Sequence, residues 1–141
     1  MKGSGVILRW RHPVTDDELF QLTAAQGGRA TRGWWDQVRP HSLGWVTARL
    51  ADGALVGFVN VAWDGGDHAF LLDTKTRPDH QHRGMGTAVV RLAAHRAPRQ
   101  AFRGRDDEVP SVNDVRRLGV AVTTHDRTWR GTFTSAGEQP R

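Results

Sequence analysis

In the stretch Leu71–His95, LLDTKTRPDHQHRGMGTAVVRLAAH, an apolar strand runs into a proline break, a Gly-x-Gly turn and an amphipathic helix. That order describes a phosphate cradle. The first backbone N–H groups of a helix have no intrahelical partner, and the helix dipole favours an anion in front of them. Gly84 and Gly86 let a pyrophosphate approach the backbone with no Cβ in the way.

Outward from this stretch, the chain reads as strand, helix, broken segment, three strands and helix. Val6–Trp10 is a short run of β-formers ended by Pro13. Thr15 and Glu18 form a capping box ahead of Leu19, Phe20, Leu22 and Ala25 at helical spacing, and Gly27-Gly28 stops that helix. The segment between Thr31 and Ser42 is too polar and too broken by Pro40 for a strand, and short for a helix. Val46–Leu50, Asp52-Gly53 and Leu55–Trp63 give a hairpin signal, because Asp-Gly supplies the turn between two β-rich runs. After the turn at 64–67, His68–Thr76 is predicted as a fourth strand covered on both faces, since Ala69 to Leu72 are apolar without alternation. The second helix is predicted over Thr87–Arg96, ending before Pro98.

The run PDHQHRGMG, Pro78–Gly86, resembles the acyl-CoA-binding loop of the GCN5-related N-acetyltransferase (GNAT) superfamily, with Gln81, Gly84 and Gly86 on the pattern Gln/Arg-x-x-Gly-x-Gly/Ala and the family's proline at Pro78. The same string also occurs at Arg83-Gly86-Ala88 and Arg116-Gly119-Ala121, but only the Gln81 register has a strand before it and a helix after it. The resemblance covers about residues 4–96. It implies an α/β (α+β) fold with a mixed, mostly antiparallel sheet flanked by helices. It also implies transfer of acetyl from acetyl-CoA to a primary amine, on a small-molecule or peptide acceptor.

Transferring acetyl from a thioester to an amine needs a neutral amine, oxyanion stabilisation and a positioned donor. The resemblance assigns the pyrophosphate to the amides of Gln81, His82, Arg83, Gly84, Met85, Gly86, Thr87 and Ala88. It assigns the thioester carbonyl to the backbone near Thr74, Lys75 and Thr76. His82 and Arg83 add nearby cations. For the base, Asp73 is the first choice, because a carboxylate inside a central strand is costly unless it is paired or functional. Its pKa can rise through desolvation and fall through Lys75 or Arg77. His68 at the start of the same strand is the second choice. Trp34, Trp35 and Asp36 stand where this family builds its acceptor pocket; adjacent tryptophans point apart, so one suits the core and the other a pocket. With no cysteine to carry an acyl group, attack by the amine is direct. The other reading is a non-catalytic acyl-CoA-binding or regulatory module, because the chain contains no tyrosine to serve as the family's usual acid.

Composition agrees with one domain over residues 1–141. A chain of 141 residues buries about 70 per cent of its unfolded surface, enough for a core without staples. The charge of +5 comes almost wholly from arginines scattered through the chain, since Lys2 and Lys75 are its only lysines. Without a compact basic run, nucleic acid is not the expected partner. His80 and His82 alternate in a glycine-proline loop with no carboxylate at helical spacing, so no metal site is expected. No leader pattern and no long apolar run appears, which makes a cytoplasmic location and no membrane contact the expectation.

Residues 97–141 change character, with fewer apolar residues and a charged run at 103–108. No four-residue apolar run between Pro98 and Pro110 supplies the strand that follows the second helix in the family. A capped helix over Ser111–Leu118 and strands over Val120–Thr124 and Thr128–Thr134 are the next predicted elements. Divergence from the family or an altered reading frame would produce such a tail. It either completes the sheet by another route or leaves an edge open to a second copy, a homodimer.

Overall fold

The computed structural model describes residues 5–66, 68–102, 119–123 and 128–132. Six strands form one sheet in sequential order: β1 (Ile7–Trp10), β2 (Ser42–Arg49), β3 (Leu55–Trp63), β4 (His68–Thr76), β5 (Gly119–Thr123) and β6 (Thr128–Thr132). All neighbours pair antiparallel except β4 and β5, which run parallel. Helix α1 (Asp16–Ala25) and the short α2 (Trp34–Val38) cover one face, and α3 (Met85–Phe102) covers the other. The strand missing between Pro98 and Pro110 is thus supplied by β5, later in the chain. The helix expected at Ser111–Leu118 lies outside the described residues.

Alternation along the strands builds two cores. Val46, Val56, Val59, Val61 and Leu71 face α3 and meet its Val89, Ala93 and Ala97. Trp45, Leu55 and Phe58 face the other way, onto Leu19, Leu22 and Trp35. Trp35 stands edge-on to both Trp45 and Phe58, with ring centroids 5.1 and 5.4 Å away. β4 follows the same alternation at its start: Ala69 and Leu71 are buried while Phe70 is 37% exposed, so its apolar run is not covered on both faces as expected.

Helix α1 begins as its sequence dictates. The Thr15 hydroxyl accepts from the Glu18 N–H at 3.1 Å, and the Glu18 carboxylate accepts from the Thr15 N–H at 3.1 Å. Two other boundaries differ from the sequence reading. β2 starts at Ser42, four residues before Val46, because Leu43 and Trp45 are buried despite the glycine between them. Helix α3 runs through Pro98 to Phe102. A proline inside a helix removes one hydrogen bond at a cost of about 3 kcal/mol. Ala93, Ala94, Ala97 and Ala101 nevertheless keep one buried stripe along the helix, and their packing on the sheet holds it together past the proline.

Gly57 sets the seat of α3. A Cβ there would come within 3.0 Å of Ala48 Cβ and 3.1 Å of Met85 Cγ, so glycine lets the first residue of the helix rest directly on β3. Gly57→Val is expected to overpack this contact and cost about 1–3 kcal/mol. Urea denaturation measures it, and unchanged stability would show that Met85 moves aside freely.

Candidate active site

The local geometry turns on a bulge in β4. Phe58 pairs with Lys75 and Asn60 with Leu72, so Val59 alone faces both Asp73 and Thr74. Asp73 takes up the extra residue in the left-handed region, at φ 59°. A straight strand would aim residue 73 toward α3, as it does 69 and 71. After the bulge, Thr74 and Thr76 line a cleft beside the start of α3, whereas Asp73 and Lys75 line a pocket beside α1. β5 pairs only with His68–Leu71, so among the described residues the second half of β4 diverges from its parallel neighbour.

The cleft has a volume of about 340 Å³. Its floor is the turn Gly84-Met85-Gly86. The first helical bond of α3 is from the Ala88 N–H to the Gly84 carbonyl at 2.9 Å, so the amides just before it carry no intrahelical bond. Gly84 sits at φ 81°, and a Cβ on it would meet no atom within 4 Å. At Gly86 the only close atom would be Thr76 Oγ1, at 3.9 Å. Both therefore border open space over the helix N-terminus. The Thr74 hydroxyl, which lines the same cleft, is buried with no hydrogen-bond partner. An open amide floor beside an orphaned hydroxyl fits an extended ligand with an anionic portion, and acetyl-CoA is of that kind.

Side chains hold the rim in place. Gln81 Nε2 donates to the Thr76 carbonyl at 3.2 Å, and Gln26, at the end of α1, accepts from the Thr76 N–H at 2.9 Å. Arg77 grips Asp79 with two hydrogen bonds of 2.7 and 3.0 Å, and His80 Nδ1 lies 3.0 Å from the same carboxylate. The Arg77 guanidinium, then His80, hold the Asp79 carboxyl well below the usual carboxylate range. His82 takes φ 62° and, with Arg83, is exposed.

The pocket on the other side of β4 has a volume of about 130 Å³ and brings together Asp73, Lys75, Trp34, Asp16, Phe20 and Arg29. Burial raises the Asp73 pKa, opposed by the charge of Lys75 and a hydrogen bond from Asn60. Burial lowers that of Lys75, opposed by Asp73, and its ammonium lies 5.2 Å from the Trp34 ring centroid. Asp16 shapes the wall. Its carboxylate accepts from the Gly33 N–H at 2.7 Å and the Trp35 N–H at 2.8 Å, and so caps α2 and fixes both tryptophans. These backbone bonds lower its pKa.

The predicted residues therefore separate. Trp34 lines the pocket, Trp35 is core, and Asp36 is exposed on α2 outside the residues lining the pocket. His68 is exposed at the far end of β4, its Nδ1 3.1 Å from the Asp64 carboxylate. Asp16, Gln26 and Arg29 were missed by sequence reading. Asp16 sat inside the capping box and Gln26 just before Gly27-Gly28, so both read as helix-end residues. Among the described residues no group of three or more His, Cys, Asp or Glu is gathered as for a metal, and no helix is long and apolar enough to cross a membrane.

A mixed sheet with a diverging strand above a glycine turn is an acyl-CoA N-acyltransferase-like fold. Residues 9–119 match the acetyltransferase (GNAT) family, and the chain belongs to that family. The matched stretch runs past Arg96 as far as the start of β5. A GNAT-family acetyltransferase from Streptococcus pneumoniae superposes with TM-score 0.58 at 20% identity, over 86% of this chain and 77% of that one. A probable acetyltransferase from Staphylococcus aureus gives 0.60 at 19%, over 86% and 80%. A GNAT-family acetyltransferase from Brucella melitensis, solved with acetyl-CoA, gives 0.57 at 18%, over 83% and 74%. No curated protein sequence matches the chain.

Proposed function

We propose that the protein transfers acetyl from acetyl-CoA to a primary amine by direct attack. The observation that carries this reading is the bulge, which aims the Thr74 side of β4 at an anion cradle and the Asp73 side at a separate pocket. When bound, acetyl-CoA supplies an acetyl group activated as a thioester. The backbone amides from His82 to Thr87 hold the pyrophosphate, with the His82 and Arg83 side chains beside them, while those of Gln81 and Ala88 are taken by the Pro78 and Gly84 carbonyls. The main chain at Thr74 and Lys75 polarises the acyl carbonyl, the Thr76 N–H being taken by Gln26. Asp73 takes the proton from the amine, and burial fits it for that work by making its carboxylate more basic. His68, held by Asp64 at the opposite end of the strand, has no part in this arrangement. With no tyrosine in the chain, His80 and His82, which line the cleft, and solvent are candidates to protonate the departing thiolate.

Calorimetry with acetyl-CoA and a thiol-release assay over a panel of primary amines test the reading. Micromolar binding with amine-dependent thiol release is expected. No binding up to millimolar ligand would overturn it. Binding with no thiol release for any amine would favour a non-catalytic acyl-CoA-binding module.

A further inference from the structure

The small pocket is lined by two carboxylates, Asp16 and Asp73, and two cations, Lys75 and Arg29, and it is their pairing that is incomplete. Asp16 is consumed by the two backbone amides it caps, so it offers little to a ligand. Arg29 makes no ion pair or hydrogen bond among the described residues. Lys75 makes no salt bridge there either, and its ammonium meets the face of Trp34 and feels the charge of Asp73. Among the described residues Lys75 and Arg29 thus lack a salt bridge, and Asp73 is the carboxylate not tied to backbone amides, in a pocket of about 130 Å³.

We infer that the acceptor is a small amine carrying its own carboxylate, as a free amino acid does, with the carboxylate held by Lys75 and Arg29 and the amine facing Asp73. This rests on the acetyl-transfer reading above. A half-buried lysine without a salt bridge is costly, and a ligand carboxylate would lower that cost with charge-assisted hydrogen bonds. The same holds for Asp73 and an arriving ammonium. Loss of the amine's proton to Asp73 leaves an acceptor of charge −1 beside Lys75 and Arg29, so the reactive form is the one the two cations stabilise. Trp34 and Phe20 bound the space with aromatic surface.

Matched acceptors test this: an amino acid, its carboxamide and its decarboxylated amine, each assayed by thiol release at saturating acetyl-CoA. The carboxamide has the less basic amine, so intrinsic reactivity favours it. The expected result is the reverse, with the free acid ahead by about tenfold or more in kcat/KM, mostly through KM. Lys75→Met should bring the three toward parity and Lys75→Arg should keep the preference. Arg29→Gln, at an exposed position, should narrow the gap without disturbing the fold. Equal or better use of the carboxamide or the amine by the intact protein would overturn the inference while leaving acetyl transfer standing. If no acceptor is turned over, saturation-transfer NMR of the same three compounds decides. Selective binding of the free acid, lost in Lys75→Met, supports the pocket's assignment, and absence of selectivity overturns it. Calorimetry with acetyl-CoA reports separately on the donor side.

Discussion

Gly86→Trp is expected to fold normally and to weaken acetyl-CoA binding at least about 100-fold, a loss of about 2.7 kcal/mol. Gly86 lies in the first turn of α3 without a positive φ, and its Cβ would find only Thr76 Oγ1, at 3.9 Å. The Cβ is thus accommodated, and an indole built on it sits at the turn whose amides would hold the pyrophosphate. Gly84 is the poorer test, because at φ 81° any side chain adds backbone strain and confuses lost binding with lost stability. Gly86→Ala provides the scale: a methyl group in the same place should cost far less than the indole. Calorimetry on the three proteins, with thermal melts alongside, measures the effect. Wild-type affinity in a folded Gly86→Trp variant would place the donor somewhere other than the turn.

What the sequence made legible was local. The Thr15–Glu18 capping box, the Asp52-Gly53 hairpin and the strand-glycine-helix order around Gly84 each depend on residues a few positions apart, and each is in the structure. The run of α3 through Pro98 was hidden, since the buried alanines that sustain it draw their stability from the sheet and not from the helix. The bulge at Asp73 was hidden for a related reason. Strand register follows from how β3 and β4 pair, and no residue near Asp73 announces a left-handed φ. Without the bulge, the face on which Asp73 and Lys75 lie cannot be deduced. The candidate site divided likewise. Gln81, Gly84 and Gly86 were readable because turn and helix start are contiguous. The small pocket joins Asp16, Phe20 and Arg29 to Asp73 and Lys75 across the fold, and such a meeting leaves no trace in spacing.

The second large effect expected is at Asp73. Asp73→Asn preserves shape and can still accept a hydrogen bond from Asn60, but it removes the base. A fall in kcat/KM of about 10²–10⁴ follows from the usual worth of a positioned proton acceptor. Acetyl-CoA affinity should stay within about twofold, because Asp73 lines the pocket on the α1 side and not the cleft. The pH dependence has a definite sign. Burial raises the folded pKa of Asp73 above its ordinary 3.8, so the acid limb of kcat/KM should lie higher than an unperturbed aspartate would put it and disappear in the variant. The same shift bears on stability. Between the unfolded and the higher folded pKa the native chain holds the extra proton, so the contribution of Asp73 to stability falls as pH rises through that window. At neutral pH its ionised form is a cost, and Asp73→Asn should melt no lower than wild type. Lost activity with a retained melting temperature marks a residue held in place for chemistry. Full activity in the variant would remove Asp73 from the reaction, whereas a lowered melting temperature would assign it to the fold.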